Sequence, residues 1–469
     1  MKTVDVGSVL DDGEWGGYQK ALVAAAALAI VFDGLDNQVL SGALPAIMRD
    51  WHVPRSALTP ALTSGFVGMM FGGFIGGVVG DRFGRRVALL GSLISFGVLT
   101  LMVPLAGTPL ALSVLRFLAG LGLGAAMPNA ATLSSEYVPT RHRPFAVTLT
   151  IVCIPLGGSL AGFIGGQILP RYGWHTLFVI CGILPLVLAA LLLKTLPESP
   201  RFLARNKARW PELAALLRRL GHDAPDDATF VDASEKALAN TSVGALFTPD
   251  YLRDTLTLFG SFFFCLLTVY MGTTWVPTML TGNGFDIGTA SYGLTAFSMG
   301  GVVGAILGAT VIMRLGSRVS MLTMAAGAIA GAAVLSVMSI GPQGTITISL
   351  VDVRISGTFA TFAMLAWTGG LINAVQTTMY ALAAHVYPTS IRATGVGTAV
   401  GVGRIGGVLS PTVGQWALDA GGASGYFGLM AVTMSAALVA LAAVKRHIPG
   451  KVGVIGQVQS TKFKVQSAS

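Results

Sequence analysis

Glu136–Pro144 reads EYVPTRHRP, and His385–Gly395 reads HVYPTSIRATG. Pro139-Thr140 and Arg143 of the first stretch recur as Pro388-Thr389 and Arg392 of the second, at one constant offset of 249 residues. A proline-marked basic loop repeated half a chain apart implies a duplicated structural unit. Outward from these loops, apolar windows of spanning length fall near 19–40, 57–80, 87–106, 109–131, 145–169 and 174–194. A second six fall near 254–280, 290–313, 319–340, 358–384, 393–415 and 422–445. The expected fold is an all-α membrane protein of twelve transmembrane helices in two pseudo-symmetric six-helix halves. Its expected parts are an N-terminal tail (1–18), a first half (19–194), a polar linker (195–253), a second half (254–445) and a C-terminal tail (446–469).

Composition agrees with this class. The 469 residues are 53% hydrophobic and only 11% charged, against roughly 25% charged in ordinary soluble domains. The 61 glycines suit helices that approach closely through small residues. Cys153, Cys181 and Cys265 all lie in apolar runs, with neither disulfide nor metal-ligand spacing. The N-terminus carries no apolar core or cleavage site of a signal peptide. No GxxxxGK[ST], HExxH or GxSxG motif occurs, so neither direct ATP coupling nor enzymatic activity is expected, and no cofactor or metal is called for.

The formal charge of +9 is explained by topology. With the termini and even-numbered loops on one side, the opposite side holds only Arg49, Arg55, Arg171 and Arg354, while Arg116 and Arg404 fall within spans. The positive-inside rule then places both termini in the cytoplasm, and nucleic acid is not needed as a partner.

The first span carries two carboxylates, Asp33 and Asp36, in Leu28–Val39, LAIVFDGLDNQV. An ionisable group at bilayer depth costs about 2.5–3.5 kcal/mol on insertion scales, so it persists mainly where it faces a cavity. Three residues apart, the two share one helix face. Gly34 between them admits a close neighbour. Two carboxylates that close share charge poorly, so one is expected to hold a proton at working pH, which makes the pair a candidate proton carrier. The alternative is a misplaced span with both aspartates in a wet loop.

In the loop after span two, Gly77–Arg86 reads GVVGDRFGRR, which resembles the signature loop of the major facilitator superfamily. The resemblance implies two six-helix halves with a site opened alternately to each side. It also implies a latch built from Asp81, Arg82, Gly84, Arg85 and Arg86. The echo after span eight, MRLGSRV, has Met313 where Asp81 would fall, so the second half is expected to lack a full latch. Arg116 opens RFLAGLGLG, which resembles the superfamily's helix-four motif. There it can polarise a buried acid from another helix, or snorkel to the span's outer end. Pro197–Leu203, PESPRFL, is similar to the stretch found there in sugar porters and aromatic-acid symporters. The closing element of sugar porters is absent after span twelve.

Asp33-Gly34-Leu35-Asp36 resembles the paired-aspartate motif of aromatic acid:H⁺ symporters. Tyr387–Gly397 and Gly401–Gly407 (GVGRIGG) resemble their loop ten–eleven and helix eleven. The family implies proton-coupled uptake of an aromatic carboxylate by a functional monomer in a bacterial-type inner membrane, with H⁺ as the coupling ion. Rival readings are a sugar porter, a drug/proton antiporter or a non-transporting sensor. On the residues themselves, Arg404 in span eleven needs an anion: the substrate's carboxylate, an acid such as Asp33 or Asp36 until substrate displaces it, or a permanent helix–helix partner. Flat walls for an aromatic ring are available from Tyr270, Trp275, Phe297 and Trp367, with Asn373 and Gln376 as polar points; ordinary packing is the alternative for each. Glu136 is a candidate gate partner for Arg143 or Arg392, and His385 is expected to be an exposed loop histidine. The outer segment Gly341–Gly357 is longer than expected for such a loop.

Overall fold

In the computed structural model the described residues are 3–222, 225, 229–231, 243–342, 345–348, 353–388 and 390–450. Most of the expected linker after residue 222, the tail beyond residue 450, and Thr389 lie outside them. Among the described residues, ten helices are long and apolar enough to cross a membrane. The chain forms two compact units, Met1–Asn240 and Thr241–Ser469.

The first unit contains α1 (Gly17–Trp51), α2 (Arg55–Phe83), α3 (Arg85–Met102) and α4 (Pro109–Tyr137). The stretch Arg143–Thr195 follows and breaks at Gly173 (φ 74°, ψ 179°) into arms α5 and α6. The second unit contains α7 (Leu252–Gly282), α8 (Ile287–Leu315), α9 (Ser317–Val337) and α10 (Gly357–Val386). Its last stretch, Arg392–Ala442, breaks at Gly421 and Gly422 into α11 and α12. Each break falls where two spans were expected to meet. Only glycine readily adopts the positive φ of Gly173 and Gly422, so each double-length helix turns back as two passes.

Local chemistry sets several ends. Thr108 caps α4 by accepting from Ala111 N (3.2 Å), with Pro109 in the first turn, where a missing N–H costs nothing. Asp286 caps α8 by accepting from the amides of Gly288 and Thr289, both 3.0 Å. The α2–α3 and α8–α9 corners turn on Gly84 (φ 110°) and Gly316 (φ 82°).

Packing repeats between the units. In the first, α2 lies on α4 and α1 on α5; in the second, α8 lies on α10 and α7 on α11. Glycines make these approaches. A Cβ on Gly68 or Gly72 would lie 2.2 Å from a backbone oxygen of α4, and one on Gly34 2.3 Å from Ile154 O of α5. Gly300 and Gly304 press likewise on Ala366 and Gly370. Apolar side chains of α2 such as Phe71, Phe74 and Val78 remain exposed on the other face, as lipid-facing residues do.

Two short pairings complete the structure. Thr3–Asp5 pairs in parallel with Thr229–Val231. The long segment Gly341–Gly357 contains an antiparallel pair, Thr345–Ile348 with Val353–Ser356, in which Ile346 faces Ile355; Asp352 is outside the described residues.

Candidate functional site

Within the first unit, Asp36 is fully buried on α1, and Asp33, one turn before it, is 8% exposed. Arg116 reaches from α4 to Asp36. Its Nη1 donates to Asp36 Oδ2 and its Nη2 to the Asp36 carbonyl, both at 3.1 Å. Thr100 of α3 donates its hydroxyl to Asp36 Oδ1. Arg116 is itself 3% exposed, so its guanidinium lies inside the helix bundle and does not snorkel. Both oxygens of Asp36 are therefore engaged, and the acid ties together α1, α3 and α4. Gly34 seats α1 directly on α5.

At the end of this unit where α2 passes into α3, a second cluster forms. Asp81 pairs with Arg85 one turn on, and Arg82 lies over the Phe83 ring at 5.5 Å. Gly84 admits Glu198, whose Oε2 would lie 2.1 Å from a Cβ there. Glu198 Oε1 accepts from the amides of Arg86 (3.0 Å) and Ser199 (2.9 Å), while Arg86 Nη2 donates to Leu193 O (2.6 Å). Tyr137 donates to Glu198 O at 2.8 Å. Glu136 accepts from the Ser199 hydroxyl and has Arg85 and Arg201 in electrostatic reach. Arg143 instead pairs with Asp11 and donates Nε to Ser135 O (3.0 Å); Arg201 reaches the same Asp11 at 3.3 Å. So Glu136 and Arg143 are both tied at this end, but to Ser199 and Asp11 respectively. Glu198 and Asp11 were not singled out in the sequence, although Glu198 stands in the PESPRFL stretch.

The corresponding end of the second unit has no carboxylate at position 313, and another element closes it. The chain after α12 folds back so that Ser317 N donates to Ile448 O (2.9 Å) and Ile448 N to Ser317 Oγ (2.8 Å). Asp254 accepts from Lys445 N (2.6 Å), and Arg446 stacks over Tyr251 at 4.4 Å. Arg392 donates Nε to Tyr387 O (3.3 Å). His385 is exposed.

In the second unit Arg404 is half-buried on α11. Gly403 and Gly407 flank it and let α11 settle on α7. A Cβ on Gly403 would lie 3.0 Å from Phe262 Cβ, and one on Gly407 2.9 Å from the Tyr270 ring. Tyr380 of α10, one turn on from Gln376, lies in electrostatic reach of Arg404, Tyr270 and Cys265. Its ring meets Phe262 edge-on at 5.4 Å. Of the expected wall residues, Tyr270 lies against Gly407 on the helix of Arg404, and Gln376 stands one turn before Tyr380 on α10.

The other four are placed elsewhere. Trp275 is fully buried and donates Nε1 to Pro411 O (2.9 Å). Phe297, also fully buried, fills the space left by Gly272 and Gly369. Asn373 donates to Gly369 O within its own helix (2.8 Å) and faces Gly301. Trp367 is 57% exposed beside Met299, Val303 and Leu307 in an apolar groove. These are packing and outward-facing positions.

Two six-span units, each with ionisable groups held at depth, define a polytopic carrier-type membrane protein. The family model of the Major Facilitator Superfamily matches residues 26–368, and the chain belongs to that superfamily. It is 33% identical to the gallate transporter of Pseudomonas putida, over 94% of this chain and 95% of the relative. It is 35% identical to the 4-hydroxybenzoate transporter PcaK of the same organism, over 90% and 91%. The xylose transporter XylE from E. coli, solved in a partially occluded inward open conformation, superposes with a TM-score of 0.67 at 18% identity, covering 90% of this chain and 97% of XylE. The last likeness is one of fold.

Proposed function

We propose that the protein imports an aromatic carboxylate together with protons, by alternating access between its two six-span halves. Arg404 takes the carboxylate, since a guanidinium fork matches that geometry. Tyr270 of α7, which lies against Gly407 on the helix of Arg404, offers a wall for the ring, and Gln376 of α10 a polar contact. The Asp33/Asp36 pair carries the coupling proton. Asp36, held through both oxygens by Arg116 and Thr100, orders the helix, and Asp33 one turn before it is the member that loads and unloads. The clusters at Asp81–Arg86 and Arg392 act as gates. The protein works as a monomer in a bacterial inner membrane with both termini in the cytoplasm.

The neutral, loaded state is the one that crosses between the two openings, because an uncompensated charge in a closing site is heavily penalised. One proton per monoanion makes transport electroneutral and driven by the pH gradient, at about 1.36 kcal/mol per pH unit. A second proton would add about 2.3 kcal/mol per 100 mV.

The observation that carries this reading is an arginine half-buried on α11, whose neighbour Gly407 lies against the Tyr270 ring, in a chain whose relatives are named for hydroxylated benzoates. Equilibrium binding of 4-hydroxybenzoate to the purified protein tests it. Arg404→Lys keeps the charge but loses the fork, and affinity is expected to fall roughly tenfold, the scale of one charge-assisted hydrogen bond. Unchanged affinity, or binding of xylose and not of the aromatic acid, refutes it.

A further inference from the structure

The first residues of a chain are poorly ordered unless something ties them down. Here the stretch before α1 is tied at three places, all within the first unit. Val6 and Leu10 expose no surface and share an apolar cluster with Leu203, Leu217 and Phe230 from the chain after α6. Thr3–Asp5 runs beside Thr229–Val231, and Asp5 starts the short helix Val6–Asp11 by accepting from Gly7 N at 3.1 Å.

The second tie is ionic. Asp11 Oδ1 accepts from two arginines on separate elements: Arg143, the first residue of α5, and Arg201 of the short helix Pro200–Ala204, the latter at 3.3 Å. Arg143 is fixed in turn to the last turn of α4 through Ser135 O. Two guanidinium groups on one oxygen repel each other, and the carboxylate is the counter-charge that lets them share a site. The third tie is aromatic. The Trp15 ring lies 4.7 Å from that of His142 and 5.8 Å from that of Phe145, at the α4–α5 corner. Lys20, in the first turn of α1, sits over the same indole at 5.6 Å.

We propose that residues 3–15 are a clasp that closes the first unit on itself. They tie the chain before α1 to the chain after α6, with Asp11 between Arg143 and Arg201 as the lock, and so hold the start of α1 against the start of α5.

The burial of the lock decides how it behaves. A fully exposed ion pair contributes little. These three side chains are only 22–29% exposed, so their attraction is partly shielded from water while salt still reaches it. Screening shortens from about 10 Å at 0.1 M to about 3 Å at 1 M, so the clasp loosens as ionic strength rises. Its apolar seat at Val6 and Leu10 has no such dependence.

The test is amide hydrogen exchange of the full-length protein in detergent, corrected for intrinsic rates, at low and high sodium chloride. The variants are Asp11→Asn, Arg201→Gln, their double, and Leu10→Ala, which leaves every charge in place. Asp11→Asn is expected to speed exchange over residues 6–12 by about tenfold, the scale of one charge-assisted hydrogen bond. Residues 20–23 at the start of α1 should speed up with it. Arg201→Gln keeps Arg143 as a partner and should give a smaller rise. The double variant should exchange no faster than Asp11→Asn alone, because both changes act through one carboxylate. Leu10→Ala should release both stretches as well. High salt should speed exchange in wild type and not in Asp11→Asn.

Exchange of residues 6–12 in wild type at the rate of a free peptide overturns the proposal, as does a rise below about twofold in Asp11→Asn. An unchanged rate at residues 20–23 in a variant that frees residues 6–12 overturns it too, since the tail would then hold nothing but itself. So does a salt response that Asp11→Asn retains in full.

Discussion

Replacing Arg116 by alanine tests whether the buried pair holds the first unit together. The guanidinium makes two hydrogen bonds of 3.1 Å to Asp36, one to the carboxylate and one to the carbonyl. Asp36 is fully buried and Arg116 3% exposed, so water cannot replace either bond without entering the helix bundle. Removing one member of a buried pair costs about 3–5 kcal/mol, because the remaining charge is left uncompensated. For a unit of this size ~1 kcal/mol corresponds to ~2–4 °C in melting temperature, so Arg116→Ala should melt ~6–20 °C lower. Arg116→Lys reaches one of the two acceptors and should fall between. Asp36→Asn combined with Arg116→Leu removes both charges and should recover much of the loss, since well-packed neutral replacements of a buried pair are often tolerated. The assay is thermal unfolding in one detergent, read by tryptophan fluorescence and by retention of the monodisperse peak. An Arg116→Ala protein melting within 2 °C of wild type would refute the structural role of the pair, and with it the division of labour between Asp36 and Asp33.

Gly84→Ala should destabilise the α2–α3 corner by about 1–3 kcal/mol of backbone strain and displace Glu198, whose carboxylate occupies the Cβ position. Glu198→Ala in the same protein should relieve the steric part, so that melting losses are less than additive. Burial, aided by Arg318, holds His447 below its ordinary value of 6.5, against the opposing pull of Asp254. The docked C-terminal segment therefore favours neutral His447. Its contribution is full above pH 6.5 and is lost as pH falls through the lower folded value. Hydrogen exchange at the Ser317 and Ile448 amides, corrected for intrinsic rate, should speed up on acidification, and His447→Gln should flatten that response. Asp286→Ala should cost about 1 kcal/mol as a lost helix cap. Hydrogen bonding to Thr289, with the backbone amides, holds this carboxyl below its ordinary 3.8. The stabilisation is therefore present above that value and lost as pH falls below it; a melting profile of the variant that parallels wild type into acid would contradict this.

The spans and the duplication were legible because each rests on a local signal: spanning length and the Pro139/Pro388 echo need no knowledge of neighbours. Helix phase was not legible, and the glycine-faced helices show why. On α2 the outward side chains Phe71, Phe74 and Val78 are as apolar as any core, and the inward ones are glycines. A helix between lipid and small-residue packing has no polar face to mark its rotation. Trp275, Phe297 and Trp367 looked alike in sequence, yet two fill interhelical space and the third points outward. Glu198 and Asp11 were missed because their partners lie more than a hundred residues away in the chain. The ionisable residues fared better: a charge inside an apolar run announces that something must be there to meet it, as Arg116 meets Asp36.

Coupled movement of acid and proton is the claim on which the rest depends. Proteoliposomes loaded with a pH-sensitive dye, given radiolabelled 4-hydroxybenzoate outside, report both fluxes in one vesicle. With an acidic exterior, labelled acid should accumulate faster than by leak into protein-free vesicles, and the lumen should acidify in step. Asp33→Asn should abolish accumulation while the protein remains folded in the bilayer. Accumulation that persists after the pH gradient is collapsed with the membrane potential also clamped at zero, or undiminished uphill uptake by Asp33→Asn, would contradict the account.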